Sequence, residues 1–478
     1  MVSNQTAASP IKFGTSGWRA IIADRFTFAN VRLATAAIAG HVRSRNKNPV
    51  LIVGHDPRFF SEEFTAAAAA VLRANGVRVL LCDHAAPTPA IACEILRRKT
   101  DGAINFTASH NPAEYHGLKF SGPDGGPALP EVTKDIEARV AQLAGKIPPA
   151  PGHGEQKSTD GVERISPREP YLSRLLQLVN FGALRAAKLN FVCDPLHGCG
   201  AGYLDRALID QGTSVHAIRT ERDVLFDGAG PDVSESNLKP LRDAVLAHGA
   251  SAGLATDGDA DRFGIIDADG SFMQPNHILA LLYDFVVETR GWKLGTARSV
   301  ATTHLLDAVA KHFGQPVYQT PVGFKYVGEL IKQDKIALGG EESAGLSIRG
   351  HVPEKDGILA CLLVAEMIAV RGASLAEQLR ALFKKVGSEF WPVRVNLHLP
   401  ADVQTLLLER LKKDFKEFLG KPVAKEDRTD GLKLIFEDGS WVLMRLSGTE
   451  PLVRVYTEAG SRDAASAMAA EVQKWVYA

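Results

Sequence analysis

Short apolar runs rich in β-branched residues alternate with Ala- and Leu-rich amphipathic stretches along most of this chain. That alternation restricts the fold more than any other feature. Strands buried on both faces and helices buried along one stripe are both satisfied when helices cover a largely parallel sheet, which is an α/β architecture. The first clear unit is a strand at 50–54 that runs into His55-Asp56-Pro57. Ser61 reads as the N-cap of the next helix, with Glu62 and Glu63 in its first turn and Asn75-Gly76 at its end. Further strands are expected at 77–82 and 102–106.

The segment GKIPPAPGHG at 145–154 breaks the pattern and reads as a linker. A second series begins with a strand at 189–193 and the turn DPLHGCGAG at 194–202, and runs to a strand at Ala252–Thr256. A turn at 267–270 then precedes a helix at Pro275–Arg290. The third series has strands near 299–303 and 336–339 and closes with a helix at 357–370. Beyond Glu389 the character changes. Residues 393–399 alternate with period two, and a helix near 403–419, two further strands and a helix at 463–476 follow. The expectation is three related mixed-sheet α/β domains at 1–150, 160–268 and 269–388, with a smaller α+β domain at 389–478. The three α/β stretches are alike in layout without a residue-level repeat.

Composition narrows the function classes. Lys+Arg and Asp+Glu both number 55, so the basic excess usual for nucleic-acid or anionic-membrane binding is missing. The five cysteines have no CxxC and no zinc spacing and read as reduced thiols. The start MVSNQTAASP resembles no secretory signal, and apolar runs such as 358–365 are too short to span a bilayer. A soluble cytoplasmic protein is expected, monomeric or homodimeric, with no nucleic-acid or membrane partner.

Polar, Gly-rich segments follow the expected strands, where open α/β sheets bind ligands. Thr107-Ala-Ser-His-Asn-Pro112 offers a serine as nucleophile, although Ser, Thr and Asn also make ordinary turns. Asp257-Gly-Asp-Ala-Asp-Arg262 places three carboxylates at i, i+2 and i+4, able to converge on one hard cation. A calcium EF-hand fails, because Arg262 stands where its glycine belongs and Ala268 where its glutamate belongs. Magnesium fits better, and a solvated acidic loop is the alternative. Gly339-Gly-Glu-Glu-Ser-Ala-Gly345 and His351-Val-Pro-Glu-Lys-Asp-Gly357 suit sugar hydroxyls, protons or phosphate, or simple capping. Arg445-Leu-Ser-Gly-Thr-Glu-Pro-Leu-Val-Arg454 brackets a hydroxyl-rich turn with guanidiniums, as a phosphate monoester needs; an ordinary surface turn competes. No Walker or dinucleotide loop occurs.

In this order, from Phe13-Gly-Thr-Ser-Gly-Trp-Arg19 to Arg454-Val-Tyr456, the chain resembles the α-D-phosphohexomutases, which include phosphoglucomutases and phosphomannomutases. The resemblance implies four domains around a central cleft, with Ser109 as the phosphorylated serine. It implies Asp257, Asp259 and Asp261 as Mg²⁺ ligands, with a phosphoserine oxygen from Ser109 completing the site. Glu341 and Ser343 match the sugar-contacting loop, and Thr320-Pro-Val-Gly-Phe-Lys325 a second one. Arg445, Ser447, Gly448 and Thr449 match the loop for the non-reacting phosphate, with Arg262 and Arg454 also placed at the substrate. Arg19, His110 and Lys119 lie near the phosphoserine, and Lys119, Arg19, His351 and Lys355 are candidate proton carriers.

The implied reaction interconverts hexose 1-phosphate and hexose 6-phosphate through phosphoserine and a hexose 1,6-bisphosphate, which is both intermediate and activator. GEES followed by HxxEKDG looks like the phosphoglucomutase branch, so glucose is expected first and mannose second. The GEMSGH of bacterial phosphomannomutase/phosphoglucomutase and the GEQSGH of phosphoglucosamine mutase are not met. A non-catalytic sugar-phosphate-binding paralogue is the alternative of another class.

Overall fold

The structure is a computed structural model that describes residues 11–14, 17–144, 162–446 and 452–477. The linker expected at 145–154 lies outside these residues. Two compact units emerge: residues up to Met273 together with Ala344–Leu375, and Gln274–Ser343 together with the chain from Ala376 onward.

The first unit holds two α/β domains. In one sheet the strands run in the order Trp18–Ile21, Tyr115–Ser121, Ala103–Phe106, Val50–His55, Arg78–Cys82 and Glu163–Ile165. Its parallel centre comes from the expected βα units, while Tyr115–Ser121 pairs antiparallel on both sides. The ends of Val50–His55 and Ala103–Phe106 therefore lie side by side, which brings Asp56-Pro57-Arg58 next to the Ser109 turn. The second sheet runs Phe272–Met273, Phe263–Asp267, Ala252–Thr256, Asn190–Asp194 and Ser214–Ala217, with its first two pairings antiparallel. Asp257–Arg262 is the hairpin turn between two of these strands. Helix Gly357–Arg371 is apolar almost all round because nearly all of it is buried; Asp356 caps its N-terminus by accepting from the Leu359 N–H at 2.8 Å.

In the second unit, Gly295–Ser299 pairs in parallel with Val317–Thr320 and Ile336–Glu341. The C-terminal domain is an antiparallel sheet in the order Trp391–His398, Leu452–Ala459, Trp441–Leu446, Leu432–Phe436, Lys421–Asp427 and Glu417–Phe418, with helix Arg462–Tyr477 alongside. Three α/β domains and a C-terminal sheet domain are present, as the sequence pattern implies.

Three local expectations need correction. Ser61 is the first helical residue rather than the cap; Phe60 holds the cap position with φ 64°. The Ser61 hydroxyl is committed instead to Asp56 (3.2 Å) and His116 (3.1 Å). The strand expected at 299–303 is Gly295–Ser299, because the Ser299 hydroxyl accepts from the Ala301 N–H and turns the chain. The helix expected at 403–419 stops at Leu411, where the Arg428 guanidinium donates to the Leu411 carbonyl at 2.7 Å and to that of Lys413 at 2.6 Å.

His116 sits in an aromatic cluster, stacked on Phe26 (4.9 Å between centroids) and edge-on to Phe64 (5.0 Å). Its Nδ1 accepts from the Gly117 N–H at 2.9 Å, so Nε2 carries the proton toward Ser61. Burial pushes this imidazole down from 6.5 to about 4. The unfolded chain therefore takes up the proton first as pH falls. This group's contribution is complete above pH 6.5 and is lost toward pH 4, at roughly 1.4 kcal/mol per pH unit within that window. The urea midpoint should drop across this window while the ring, followed by NMR, stays uncharged at about pH 5. A ring that is already charged there would refute this account.

Candidate active site

Ser109 occupies a turn in the left-handed region, φ 55°, held by the Thr107 hydroxyl accepting from its N–H at 2.8 Å. Arg58 fixes the turn from beneath. Its Nη2 donates to the carbonyls of Ser109 and Asn111, both at 2.6 Å, and its Nη1 to those of Pro112 (2.8 Å) and Tyr115 (3.2 Å). Nε donates to Asp56 at 3.0 Å, which uses the whole fork. The serine hydroxyl is thereby turned toward the hairpin and donates to Asp257 Oδ2 at 2.7 Å.

The three aspartates of that hairpin are fully buried, and one ligand oxygen from each lies within 4.8 Å of the others. Lys119 Nζ donates to Asp259 Oδ2 (2.6 Å) and Asp261 Oδ2 (2.8 Å), and Lys355 Nζ lies 2.9 Å from the latter. Thr88, which the sequence reading missed, donates its hydroxyl to Asp259 and is itself approached by Asn105 Nδ2 at 2.9 Å. Asp259 Oδ1 and Asp261 Oδ1 are buried without a hydrogen-bond partner. Burial, then Asp259 and Asp261, push the Asp257 carboxyl up to about 7. Burial would also raise Asp261, but Lys119 and Lys355 outweigh it and hold that carboxyl well below the usual range. Three oxygens-only side chains, two of them with orphaned atoms and one reluctant to ionise, fit a hard divalent cation such as Mg²⁺.

His110 Nδ1 stands 3.5 Å from the serine hydroxyl, and Arg19 Nη1 donates to Asn111 Oδ1 at 2.8 Å. Burial, followed by Arg262 and Arg19, holds His110 well below 6.5, so it works as a neutral ring. Lys119 loses proton affinity by burial and regains more from the two aspartates, ending above its ordinary value. His351 faces Asp356 through Nε2 at 2.7 Å, and Asp356 also accepts from the Tyr171 hydroxyl at 2.8 Å. Glu354, also missed, is buried beside these lysines and raised to about 7, by burial above all. Arg262 gives its backbone N–H to Asp257 Oδ1 at 3.0 Å. Ser109, the aspartates, Arg19, His110, Lys119, Arg262, His351 and Lys355 thus all belong to the first unit.

Lys325, Glu341, Ser343, Arg445 and Arg454 belong to the second unit. There, Glu341 Oε1 accepts from the Gly323 N–H at 2.6 Å. Asp430 accepts from the neighbouring Val322 N–H (3.1 Å) and from Arg445 Nε (2.8 Å), a bridge with no sequence signal. Ser447, Gly448 and Thr449 lie outside the described residues.

Four family descriptions match in succession: phosphoglucomutase/phosphomannomutase alpha/beta/alpha domain I at residues 10–145, domain II at 169–270, domain III at 274–386 and the C-terminal domain at 395–474. A phosphoglucomutase/phosphomannomutase of Thermococcus kodakarensis is 32% identical over 95% of each chain. A phosphoglucosamine mutase of Thermobifida fusca is 33% identical over 96% of each. A crystal structure from Thermus thermophilus, assigned as a phosphomannomutase, aligns with TM-score 0.85 and 32% identity, covering 99% of this chain and 100% of its own. The fold and these relatives define a phosphohexomutase, an isomerase. The chain belongs to the phosphoglucomutase/phosphomannomutase family.

Gly258 tests the packing of the two loops. A Cβ there would meet the Ser109 carbonyl at 2.5 Å and Pro231 Cγ at 2.9 Å. Gly258→Ala should therefore lower kcat by at least about tenfold, since a small misplacement of reacting groups is that costly. Its circular dichroism should match wild type. Unchanged turnover would mean that the loops yield freely.

Proposed function

We propose that this enzyme interconverts glucose 1-phosphate and glucose 6-phosphate, using Ser109 as the phosphoryl carrier and glucose 1,6-bisphosphate as intermediate and activator. The observation that carries the reading is the Ser109 hydroxyl donating at 2.7 Å to a buried aspartate triad in which Asp259 Oδ1 and Asp261 Oδ1 lack hydrogen-bond partners. Asp257, Asp259 and Asp261 would hold Mg²⁺, together with a phosphoserine oxygen. When bound, the ion would supply charge neutralisation at the transferring phosphoryl group.

In the forward half-reaction the phosphoserine O–P bond breaks as a sugar hydroxyl bonds to phosphorus, and the hydroxyl proton passes to a base. The second half-reaction returns the other phosphate of the bisphosphate to Ser109. Arg19 and His110 flank the Ser109 turn, while Lys119 and Lys355 present ammonium groups to the triad. Lys119, Arg19, His351 and Lys355 remain the proposed proton carriers; Lys119 would release its proton only when its aspartates turn to the cation. Lys325, Glu341 and Ser343 would bind the sugar. Arg262, Arg445, Ser447, Gly448, Thr449 and Arg454 would bind phosphate. Among the described residues no single helix is long and apolar enough to cross a membrane. We place the enzyme in the cytoplasm as a monomer or homodimer.

Purified protein should contain a population heavier by about 80 Da, one phosphoryl group, mapping to Ser109. Ser109→Ala should lose both label and turnover. A label on any other residue removes Ser109 from this role. Arg445→Ala should chiefly raise KM for either sugar phosphate, on the scale of about 1.5–3 kcal/mol for a charged contact. Glucose 1-phosphate should exceed mannose 1-phosphate by roughly tenfold to a hundredfold in kcat/KM, the effect of leaving a buried hydroxyl unpaired. Equal values, or a preference for mannose or glucosamine phosphate, would reassign the substrate and leave the phosphoserine chemistry intact.

A further inference from the structure

We propose that His197, Asp223 and Asp227 form a second cation site, for a borderline divalent ion such as Zn²⁺, distinct from the Asp257 triad. One ligand atom from each of the three residues lies within 4.8 Å of the others. His197 carries the argument, because it is 6% exposed and its protonation pattern can be read from its contacts. Nδ1 stands 2.9 Å from the Glu221 carbonyl, which can only accept, so Nδ1 bears a proton. Burial lowers the ring's proton affinity, but the Glu221 carbonyl and Asp227 outweigh it and raise the imidazole above 6.5, so Nε2 offers a lone pair only when a cation displaces its proton. That Nε2 is buried and makes no hydrogen bond, although Asp227 Oδ2 is only 3.1 Å away. A ring nitrogen and a carboxylate oxygen facing each other at this distance call for positive charge between them, which a proton or a metal cation can supply.

The spacing suits an ion. Two ligands each about 2.0–2.1 Å from one Zn²⁺ stand about 3 Å apart. A ring N–H given to a backbone carbonyl is the usual way a metal-binding histidine is oriented. Asp223 is also preset: its carboxylate accepts the N–H groups of Leu225 (2.9 Å) and Asp227 (2.8 Å). Phe226 and Asp227 hold φ 50° and 53°, so two non-glycine residues sit in the left-handed region to aim this loop inward. Arg219 does not fill the place. Its Nε and Nη2 are committed to Asp194 and the Asn237 carbonyl, and its Nη1 stands 4.0 Å from Asp227, beyond hydrogen-bond reach. One imidazole with two carboxylates selects Zn²⁺ over Mg²⁺, which prefers oxygen alone.

The site has a structural consequence. It would pin the loop 221–227, whose Phe226 ring lies 4.9 Å under the Arg58 guanidinium and whose Arg222 bonds the carbonyls of Pro57 and Arg58. The ion would therefore brace the side chain that carries the Ser109 turn, without touching substrate.

The test uses full-length protein, stripped of metal, returned to millimolar magnesium and titrated with Zn²⁺ by calorimetry, with bound zinc counted by elemental mass spectrometry. Wild type should bind one zinc per chain under these conditions and melt at a higher temperature with it. Asp227→Asn should bind at least about tenfold more weakly and lose the shift in melting, as should His197→Gln. The Asp227 side chain is 54% exposed, so its variant keeps the core; Asp223→Asn serves as a second probe should either variant misfold. Cobalt should give a visible ligand-field band in wild type that Asp227→Asn lacks. Wild type that takes up no zinc beside magnesium would overturn the proposal and leave a plain histidine–aspartate ion pair. Asp227→Asn and Asp223→Asn binding zinc as tightly as wild type would overturn it as well, by placing the ion elsewhere.

Discussion

A single buried guanidinium sets the reactive turn in place. Arg58 is fully buried, and its donors are spent on one carboxylate and the four carbonyls of Ser109, Asn111, Pro112 and Tyr115. A turn with φ 55° at a non-glycine residue has no helix or sheet ladder to satisfy those carbonyls, and burying them without donors would be costly. Arginine answers that need because its fork is planar and stays charged. Lysine, a point charge, could not span four acceptors. The same guanidinium is oriented by Asp56, which is oriented by Ser61, which is met by His116 from the aromatic core. A polar chain thus runs from the hydrophobic interior of the first domain to the nucleophile.

The second requirement is charge balance around three buried aspartates. Two lysines on different elements, Lys119 in the strand Tyr115–Ser121 and Lys355 beside helix Gly357–Arg371, converge on Asp261. Even so, Asp257 stays near 7, so the set still lacks positive charge at neutral pH. A divalent cation bound there would supply what the lysines leave over. The serine hydroxyl meets Asp257, the carboxyl raised to about 7, which is where a phosphate group would bring its own negative charge.

How far these features are legible from sequence depends on whether they are local. The hairpin Asp257–Arg262 and the helix Pro275–Arg290 are each fixed by residues a few positions apart, and they appear where spacing and turn chemistry place them; the turn at Ser109 starts locally with Thr107 but is held by the distant Arg58. Arg58, Thr88 and Asp430 escaped because their partners are distant in the chain: Thr88 meets Asp259 across 171 residues, and Asp430 meets Val322 across 108. Ser61 misled for a related reason. Its local propensity is to cap, but a tertiary network claimed its hydroxyl. The helix that ends at Leu411 was overextended because its stop is a guanidinium from the far side of a hairpin rather than a glycine or proline.

The second unit shows the same logic at a single peptide. Val322 and Gly323 are consecutive, and their N–H groups go to Asp430 and Glu341 respectively. Asp430 in turn holds Arg445, so the glutamate proposed to grip sugar hydroxyls and the arginine proposed to grip phosphate are registered through adjacent amides. On those roles, the separation between the two grips is set by backbone geometry rather than by flexible side chains. A substrate that binds in two orientations, as the proposed reaction requires, would need such a fixed gauge: the distance from ring to distal phosphate would have to be measured the same way in both. Glu342 adds to this rigidity, with its carboxylate accepting from the Ser299 and Thr302 hydroxyls at 2.9 and 3.2 Å. The two adjacent glutamates of GEES therefore do different work, one facing the neighbouring loop and the other anchoring to the strand end.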